Sequence, residues 1–350
     1  MSSIMQLASL PISCANGNEV PHAMQLTEGS VGSVSGEEGS EDGSEGGWEE
    51  SSSCVQSLEV RLGSRSDARS FKFIHVNPSL PIPPQLPPNQ PLHCLIHKLT
   101  EDILTSSTPT SKFRLQNLQT YCTQNSVEVI DSFESVKSLM NRSTIQEKLL
   151  KCLPTEMVPE YTVYTGEEEE LEGLKFPLIC KPLEAAGTRG SHRMSVVLDE
   201  KGLDGVPERS ILQSYINHSS TLFKTYVLGP HVRVFTRSSL PNLPPHGTGK
   251  VEFDSQEEYP TSEMFGIEEE QIYEKPILEE KVYKDIAERI KKEFGISLLF
   301  GFDVVVGEGG RVRVVDVNYF PSYKEMITEV PGLLRKFLEE KGGEGESLLV

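Results

Sequence analysis

The chain has 350 residues, enough for one large or two to three ordinary domains, and its 37% apolar content lies below the globular average, which points to a segment outside the folded core. The net charge is −19, yet residues 1–60 hold ten acidic residues and no Lys or Arg, so by subtraction the remainder carries only about −9. That balance argues against bulk nucleic-acid binding, which needs a basic surface, but leaves room for a local basic pocket around a polyphosphate.

Six cysteines stand singly, at Cys14, Cys54, Cys94, Cys122, Cys152 and Cys180. With no CxxC pair among them, neither a zinc site nor a dense disulfide framework is expected. No apolar run approaches the length of a membrane span, and the N-terminus has neither a secretory-signal nor a transit-peptide pattern. The expectation is a soluble protein of a reducing compartment, cytoplasm or nucleus, with no membrane partner.

Residues 1–56 are rich in Gly, Ser and Glu and bury too little apolar surface to offset chain entropy, so a disordered acidic tail is expected there. Trp48 lies inside it, either as a docking anchor or as an incidental aromatic. Residues 57–140 then alternate strand and helix as a small α/β lobe. Phe71–Val76 and Leu92–Leu99 read as strands, separated by a proline-rich connector from Pro78 to Pro91. A helix follows over Phe113–Tyr121, then a short strand over Val127–Asp131, then helical segments over Ser132–Met140 and Ser143–Cys152.

Residues 141–342 form the second unit. Candidate strands are Pro177–Lys181, Met194–Leu198, Ser210–Tyr215, Leu222–Leu228 and His231–Thr236. Residues 237–275 read as irregular. Pro276–Phe294 reads as an amphipathic helix, with Ile277, Val282, Ile286, Ile290 and Phe294 on one face and Gly295 as its stop signal. Two β-branched runs, Leu298–Val306 and Val312–Tyr319, flank Gly307-Glu308-Gly309-Gly310-Arg311 and read as a hairpin. A last helix over Gly332–Lys341 leads into residues 343–350, expected as a flexible tail.

The hairpin carries charge where a strand should be apolar. Asp303 interrupts its first run. Asp316 and Asn318, two apart, leave one face of the second. Together they make a hard oxygen set suited to Mg²⁺ held with phosphates, the alternative being acids that merely face solvent. Lys181 closes an apolar strand, which is costly without an anion nearby, and precedes the small, glycine-rich Ala185–His192 segment, where backbone N–H groups can approach phosphates. Its spacing is not that of a Walker loop, and an ordinary turn after a snorkelling Lys is the competing reading. Lys224 is a second cation in an apolar strand. Two strand lysines upstream of two hairpin acids match the needs of phosphoryl transfer. His192, between Arg189 and Arg193, could receive a phosphorylated substrate or lie in a solvated loop. The segment Gln213 to His218 closes a strand whose main chain could pair with an adenine.

The ordered series Ile96-His97-Lys98-Leu99-Thr100, Asn141-Arg142-Ser143, Lys181-Pro182 to Ser191-His192, Phe223-Lys224-Thr225-Tyr226-Val227-Leu228-Gly229, Arg237-Ser238-Ser239-Leu240 and Phe302-Asp303 through Asp316-Val317-Asn318-Tyr319-Phe320-Pro321 resembles the inositol 1,3,4-trisphosphate 5/6-kinase family, also called inositol-tetrakisphosphate 1-kinases, in its plant-type form. It spans about residues 70–340. The resemblance implies an ATP-grasp fold, an N-terminal α/β lobe followed by two α+β lobes that clamp ATP. It implies an enzyme that transfers the ATP γ-phosphate to a free hydroxyl of an inositol tris- or tetrakisphosphate, with ATP as co-substrate and Mg²⁺ as cofactor, acting as a monomer. On it, Arg142, Lys181, Lys224 and Ser239 attend the nucleotide. Gln213, Ser214, Tyr215 and Ile216 form the adenine hinge. Asp303, Asp316 and Asn318 bind metal, and Lys98, His192, Asn318 and Ser322 face the inositol phosphate. Lys181, Lys224 and Asp303 are the expected catalytic set, acting by electrostatic positioning.

The chain departs from the family pattern in two places. The family's first strand–helix unit carries a Lys pair, whereas the stretch before Phe71 offers only Arg61, Arg65 and Arg69. Ser322 stands where Gly is usual, and its Cβ is expected to restrict the backbone. These departures motivate an alternative, a catalytically weakened ATP and inositol-phosphate binder of the same fold. A carboxylate–amine ligase is the third reading.

Overall fold

The computed structural model describes residues 57–60, 71–88, 92–166, 175–186, 189–268, 278–341 and 347–349. The expected acidic tail over 1–56, and Arg61, Arg65 and Arg69, lie outside these residues.

The N-terminal lobe contains β1 (Ser57–Val60), β2 (Phe71–Ile74), β3 (Leu92–Ile96), α1 (Thr100–Leu104), α2 (Pro109–Gln124), β4 (Glu128–Ile130) and α3 (Phe133–Lys137). The helix starts are written in local chemistry. Thr108 accepts from Ser111 N–H ahead of Pro109, and Ser132 accepts from Ser135 N–H, each satisfying a donor that the helix cannot. The sheet order is β1-β2-β14-β3-β4, where β14 (Ser347–Leu349) runs parallel to both neighbours. Residues 343–350 are therefore not simply a flexible tail. Three of them fill the gap between β2 and β3, a pairing too distant in sequence to leave a local signal.

A central five-stranded sheet has the order β11-β7-β6-β8-β5, with β5 (Tyr161–Tyr164), β6 (Leu178–Pro182), β7 (Arg193–Val197), β8 (Ser210–Ser214) and β11 (Lys250–Asp254). β11 corrects the expectation of irregular chain over 237–275. It is half-exposed and interleaves Lys250, Glu252 and Asp254 with apolar residues, so no apolar run marked it. The third sheet is antiparallel, β10-β9-β12-β13, from β9 (Thr221–Leu228), β10 (His231–Ser238), β12 (Leu299–Gly307) and β13 (Arg311–Tyr319). Helices α4 (Arg142–Cys152), α5 (Glu280–Phe294) and α6 (Val330–Lys341) complete the chain.

The expected helix from Pro276 begins at Glu280, and Ile277 lies outside the described residues. Helix α5 buries Tyr283, Ile286, Ala287, Ile290 and Phe294 and ends on Gly295, at φ +66°, whose N–H bonds Lys291 C=O. Each large buried side chain contributes about 1.5–3 kcal/mol, so one charge at Ile290 would undo the face. Its core also takes in Ile96, Ile130 and Val136 of the N-terminal lobe and Phe300, Phe302 and Val317 of the third sheet. The central sheet packs its own clusters, around Leu178, Val197 and Leu212 on one side and Val196 and Leu240 on the other. The central sheet thus has packing of its own, and the chain leaves it after β8, returns for β11 and leaves again before α5.

Candidate active site

The hairpin and β9 set the register of the site. Asp303 on β12 is the partner of Asp316 on β13 and of Lys224 on β9. Lys224 Nζ donates to Asp303 Oδ1 at 3.0 Å and to Oδ2 at 3.2 Å. Asn318 Nδ2 donates to Asp316 Oδ2 at 3.2 Å, and Val317 N–H to Asp316 Oδ1 at 3.0 Å, so these side chains do share one end of the strand. Gly301 makes this approach possible, because a Cβ there would stand 2.9 Å from Thr225 O and 3.2 Å from Pro321 Cγ. Burial raises the proton affinity of the Asp303 carboxyl; Lys224 opposes the shift and the Asp316 charge adds to it.

The register slips between Asp303 and Val304, whose partners are Asp316 and Val314. Val315 is the extra residue of a β-bulge, which ends regular pairing locally. Its carbonyl accepts from Lys181 Nζ at 2.9 Å, and Gln213 Oε1 accepts from the same nitrogen at 2.9 Å. Lys181 therefore reaches from the central sheet to the hairpin of the third. Burial pulls its proton affinity down to about 8; Asp316 and Asp303 counter this, while Arg142 adds to it. Gln213 is buried beside it, with its own Nε2 unpartnered.

Arg142, expected at the nucleotide, is buried and donates to backbone carbonyls on both sides of the glycine-rich segment. Gly187 and Thr188 lie outside the described residues. His192 stands at the segment's far end, its Nε2 at 3.0 Å from Gln256 Nε2. An amide nitrogen is a donor only, so this contact leaves Nε2 as the acceptor and the proton on Nδ1. Burial lowers the His192 proton affinity; Asp254 counters this and Arg142 adds to it.

The segment expected as the adenine hinge is more committed to backbone pairing than its sequence suggests. Gln213 and Ser214 belong to β8, paired with β5 and β6, and Ser214 N–H also bonds Glu160 C=O. Tyr215 N–H bonds Pro177 C=O, and Ile216 C=O accepts from His218 Nδ1 at 2.6 Å. Ser239 does not stand apart from it: its Oγ lies 2.9 Å from His218 Nε2.

On the opposite wall, Lys98 Nζ lies 5.3 Å from the centre of the Phe320 ring, and burial lowers its proton affinity. His97 beside it is buried, with Nε2 donating to Asp131 C=O at 2.7 Å, while Tyr319 Oη donates to His97 C=O at 2.9 Å. Asp131 Oδ1 accepts from Ser297 Oγ at 2.8 Å, joining the two lobes. Ser322 is exposed. Left-handed backbone occurs on either side, at Phe320 (φ +46°) and Tyr323 (φ +50°), which are buried and held by aromatic packing.

The structure thus brings Lys181, Lys224, Asp303, Asp316, Asn318 and Gln213 into one cluster where the hairpin meets β8. Lys98 and Ser322 lie beyond it along the Asn318–Ser322 turn. Gln256 and the Val315 carbonyl escaped the sequence reading, and His97 and Asp131 entered it only as a motif member and a strand end, because the contacts through which they act are encoded by no motif. Among the described residues no group of three His, Cys, Asp or Glu side chains stands ready as a metal site, and the four described cysteines are free thiols. The two carboxylates and the Asn318 amide fit a hard divalent cation whose shell is completed by phosphate oxygens and water. Among the described residues no helix is long and apolar enough to cross a membrane.

A buried lysine reaching from the central sheet to a hairpin that carries two carboxylates is an arrangement suited to phosphoryl transfer. The model of the inositol 1,3,4-trisphosphate 5/6-kinase ATP-grasp domain matches residues 145–339. Inositol-tetrakisphosphate 1-kinase 1 of Zea mays is 30% identical over 292 residues, covering 77% of this chain and 80% of the relative. Inositol-tetrakisphosphate 1-kinase 1 of Arabidopsis thaliana is 30% identical over 70% of this chain and 80% of its own length, and inositol-tetrakisphosphate 1-kinase of Xenopus laevis is 30% identical over 73% and 68%. The chain belongs to the inositol 1,3,4-trisphosphate 5/6-kinase family, with its ATP-grasp fold and ATP-dependent kinase activity.

Proposed function

We propose that this kinase transfers the γ-phosphate of ATP, with Mg²⁺, to a free hydroxyl of an inositol tris- or tetrakisphosphate. The observation that carries this reading is the convergence of Lys181, Lys224, Asp303 and Asp316 at one bulged point of the hairpin. The bond from the γ-phosphorus to its bridging oxygen breaks, a bond to the acceptor oxygen forms, and the hydroxyl proton passes to solvent. Lys181, Lys224 and the uncommitted donors of Arg142 attend the phosphates. The hinge from Gln213 through Ser214 and Tyr215 to Ile216, with Ser239 beside it, receives the base. Lys98, His192, Asn318 and Ser322 face the acceptor phosphates. Asp303, Asp316 and Asn318 would hold Mg²⁺, which when bound draws phosphate oxygens together and offsets their charge.

The test is a product profile with labelled ATP across inositol tris- and tetrakisphosphates, using the natural chain and Asp316→Ala. Transfer by the natural chain and none by the variant is expected. Full transfer by Asp316→Ala would overturn the assignment. Binding of ATP and inositol phosphates by the natural chain without product would identify it as a weakened binder.

A further inference from the structure

Arg142 is a buried cation whose guanidinium donates to the main chain. Nη1 donates to Pro182 C=O at 2.6 Å and Glu184 C=O at 2.8 Å, and Nη2 to Ser191 C=O at 3.1 Å. Its own N–H bonds Leu183 C=O at 2.8 Å, and Asn141 bridges to Glu184. The carbonyls belong to two stretches of chain that the guanidinium brings together. One immediately follows Lys181, and the other immediately precedes His192. A guanidinium is a flat fork with five donors, so three carbonyls bonded to it are fixed relative to one another. A lysine offers a single rotatable nitrogen and imposes no such plane. Burying the charge is tolerable because the carbonyl dipoles receive it.

We infer that Arg142 is a positioning residue that sets the distance between Lys181 on the nucleotide side and His192 on the acceptor side. The assignment of those two sides rests on the function proposed above. Two further observations agree with it. Arg142 Nε is buried and has no partner, so three N–H donors hold the chain while Nε–H and the second hydrogen of Nη2 stay uncommitted. The charge of Arg142 also reaches both residues. At each, burial is the leading cause of the lowered proton affinity and Arg142 adds to it. One side chain thereby joins the binding of the donor to the placement of the acceptor, and transfer needs both within a fraction of an ångström.

The experiment compares the full natural chain with Arg142→Lys, and with Arg142→Gln, which keeps two N–H donors without the charge. Amide hydrogen exchange over residues 183–186 and 189–192 is measured on the ligand-free proteins. Steady-state constants for ATP and for the inositol phosphate are then measured for Arg142→Lys, His192→Ala and the double variant. Exchange about tenfold faster in Arg142→Lys, confined to residues 183–186 and 189–192, is expected, with Arg142→Gln between it and the natural chain. The two substitutions should also be non-additive in kcat/KM, since each disturbs the same placement. Unchanged exchange with a raised KM for ATP alone would overturn the inference and leave Arg142 as a phosphate contact only. The exchange measurement needs no turnover, so it stands even if the acceptor proves not to be an inositol phosphate. If Arg142→Lys fails to fold, Arg142→Gln carries the same test, and exchange equal to the natural chain in that variant would equally overturn it.

Discussion

Lys224 and Asp303 are register partners on adjacent strands, with Nζ 3.0 Å from Oδ1. The carboxylate expected to hold metal is thus already bonded to the cation expected to meet phosphate. Binding of Mg²⁺-ATP would exchange this pair for two new ones, so neither charge waits uncompensated in the cleft. Asp303→Asn should abolish phosphoryl transfer, because the amide cannot supply the negative charge. It should also lower stability by about 1–3 kcal/mol, since a mostly buried ammonium loses its partner. Chemical denaturation beside an ATP turnover assay checks both, and a variant of natural stability and rate would contradict the pairing.

Lys181 produces opposite pH trends in stability and in ligand capture. Burial brings its folded proton affinity to about 8, against 10.5 for an ordinary lysine. Between those values the unfolded chain binds the extra proton, so this group makes unfolding free energy rise with pH over that window. Affinity for ATP should fall as pH climbs through about 8, when the ammonium is lost from the folded protein. Thermal denaturation and calorimetric titration from pH 7 to 11 should show both limbs, on the order of one proton each. Lys181→Met should flatten them, and an unchanged pH profile in that variant would assign the titration to another group.

Tyr319→Phe isolates the bond from the hydroxyl to His97 C=O at 2.9 Å. The buried carbonyl loses its partner, for a cost of about 1–2 kcal/mol in stability. Because Lys98 follows His97, the KM for the inositol phosphate should rise about fivefold while that for ATP stays constant. Equal changes in both constants would show that the bond supports the whole cleft and not the acceptor side.

Gly301→Ala inserts a Cβ 2.9 Å from Thr225 O, a backbone atom that cannot step aside. The strands must part, at about 1–3 kcal/mol, and Asn318 opposite should shift with them. A higher Mg²⁺ concentration for half-maximal activity together with a lower melting temperature is the expected result; natural values for both would show that the sheet absorbs the change.

Sequence legibility followed the range of the interaction. Helix α5 was visible because apolar residues repeat at helical spacing, of which Ile286, Ile290 and Phe294 are buried, and the hairpin because β-branched runs flank three glycines. Lys181 and Lys224 were visible as charges out of place in apolar strands. β11 was not, since Lys250, Glu252 and Asp254 give a half-exposed strand the look of a loop. β14 is three residues whose only claim to order is a gap between β2 and β3. Gln256 became visible only with its ring partner, His192. The left-handed angles of the turn around Ser322, in Phe320 and Tyr323, gave no sign in the sequence, since both are bulky aromatics that seldom adopt them.

Position 315 would pass almost unnoticed in an alanine scan. Its contribution is a carbonyl oxygen, which every residue type possesses, so Val315→Ala should leave the tether to Lys181 in place. Removing the residue altogether is another matter. The ladder could then close evenly from Val314 to Asp316, and the lysine would lose the oxygen that holds it across the cleft. At this point it is the count of residues in the strand, and not the identity of any one of them, that the site depends on.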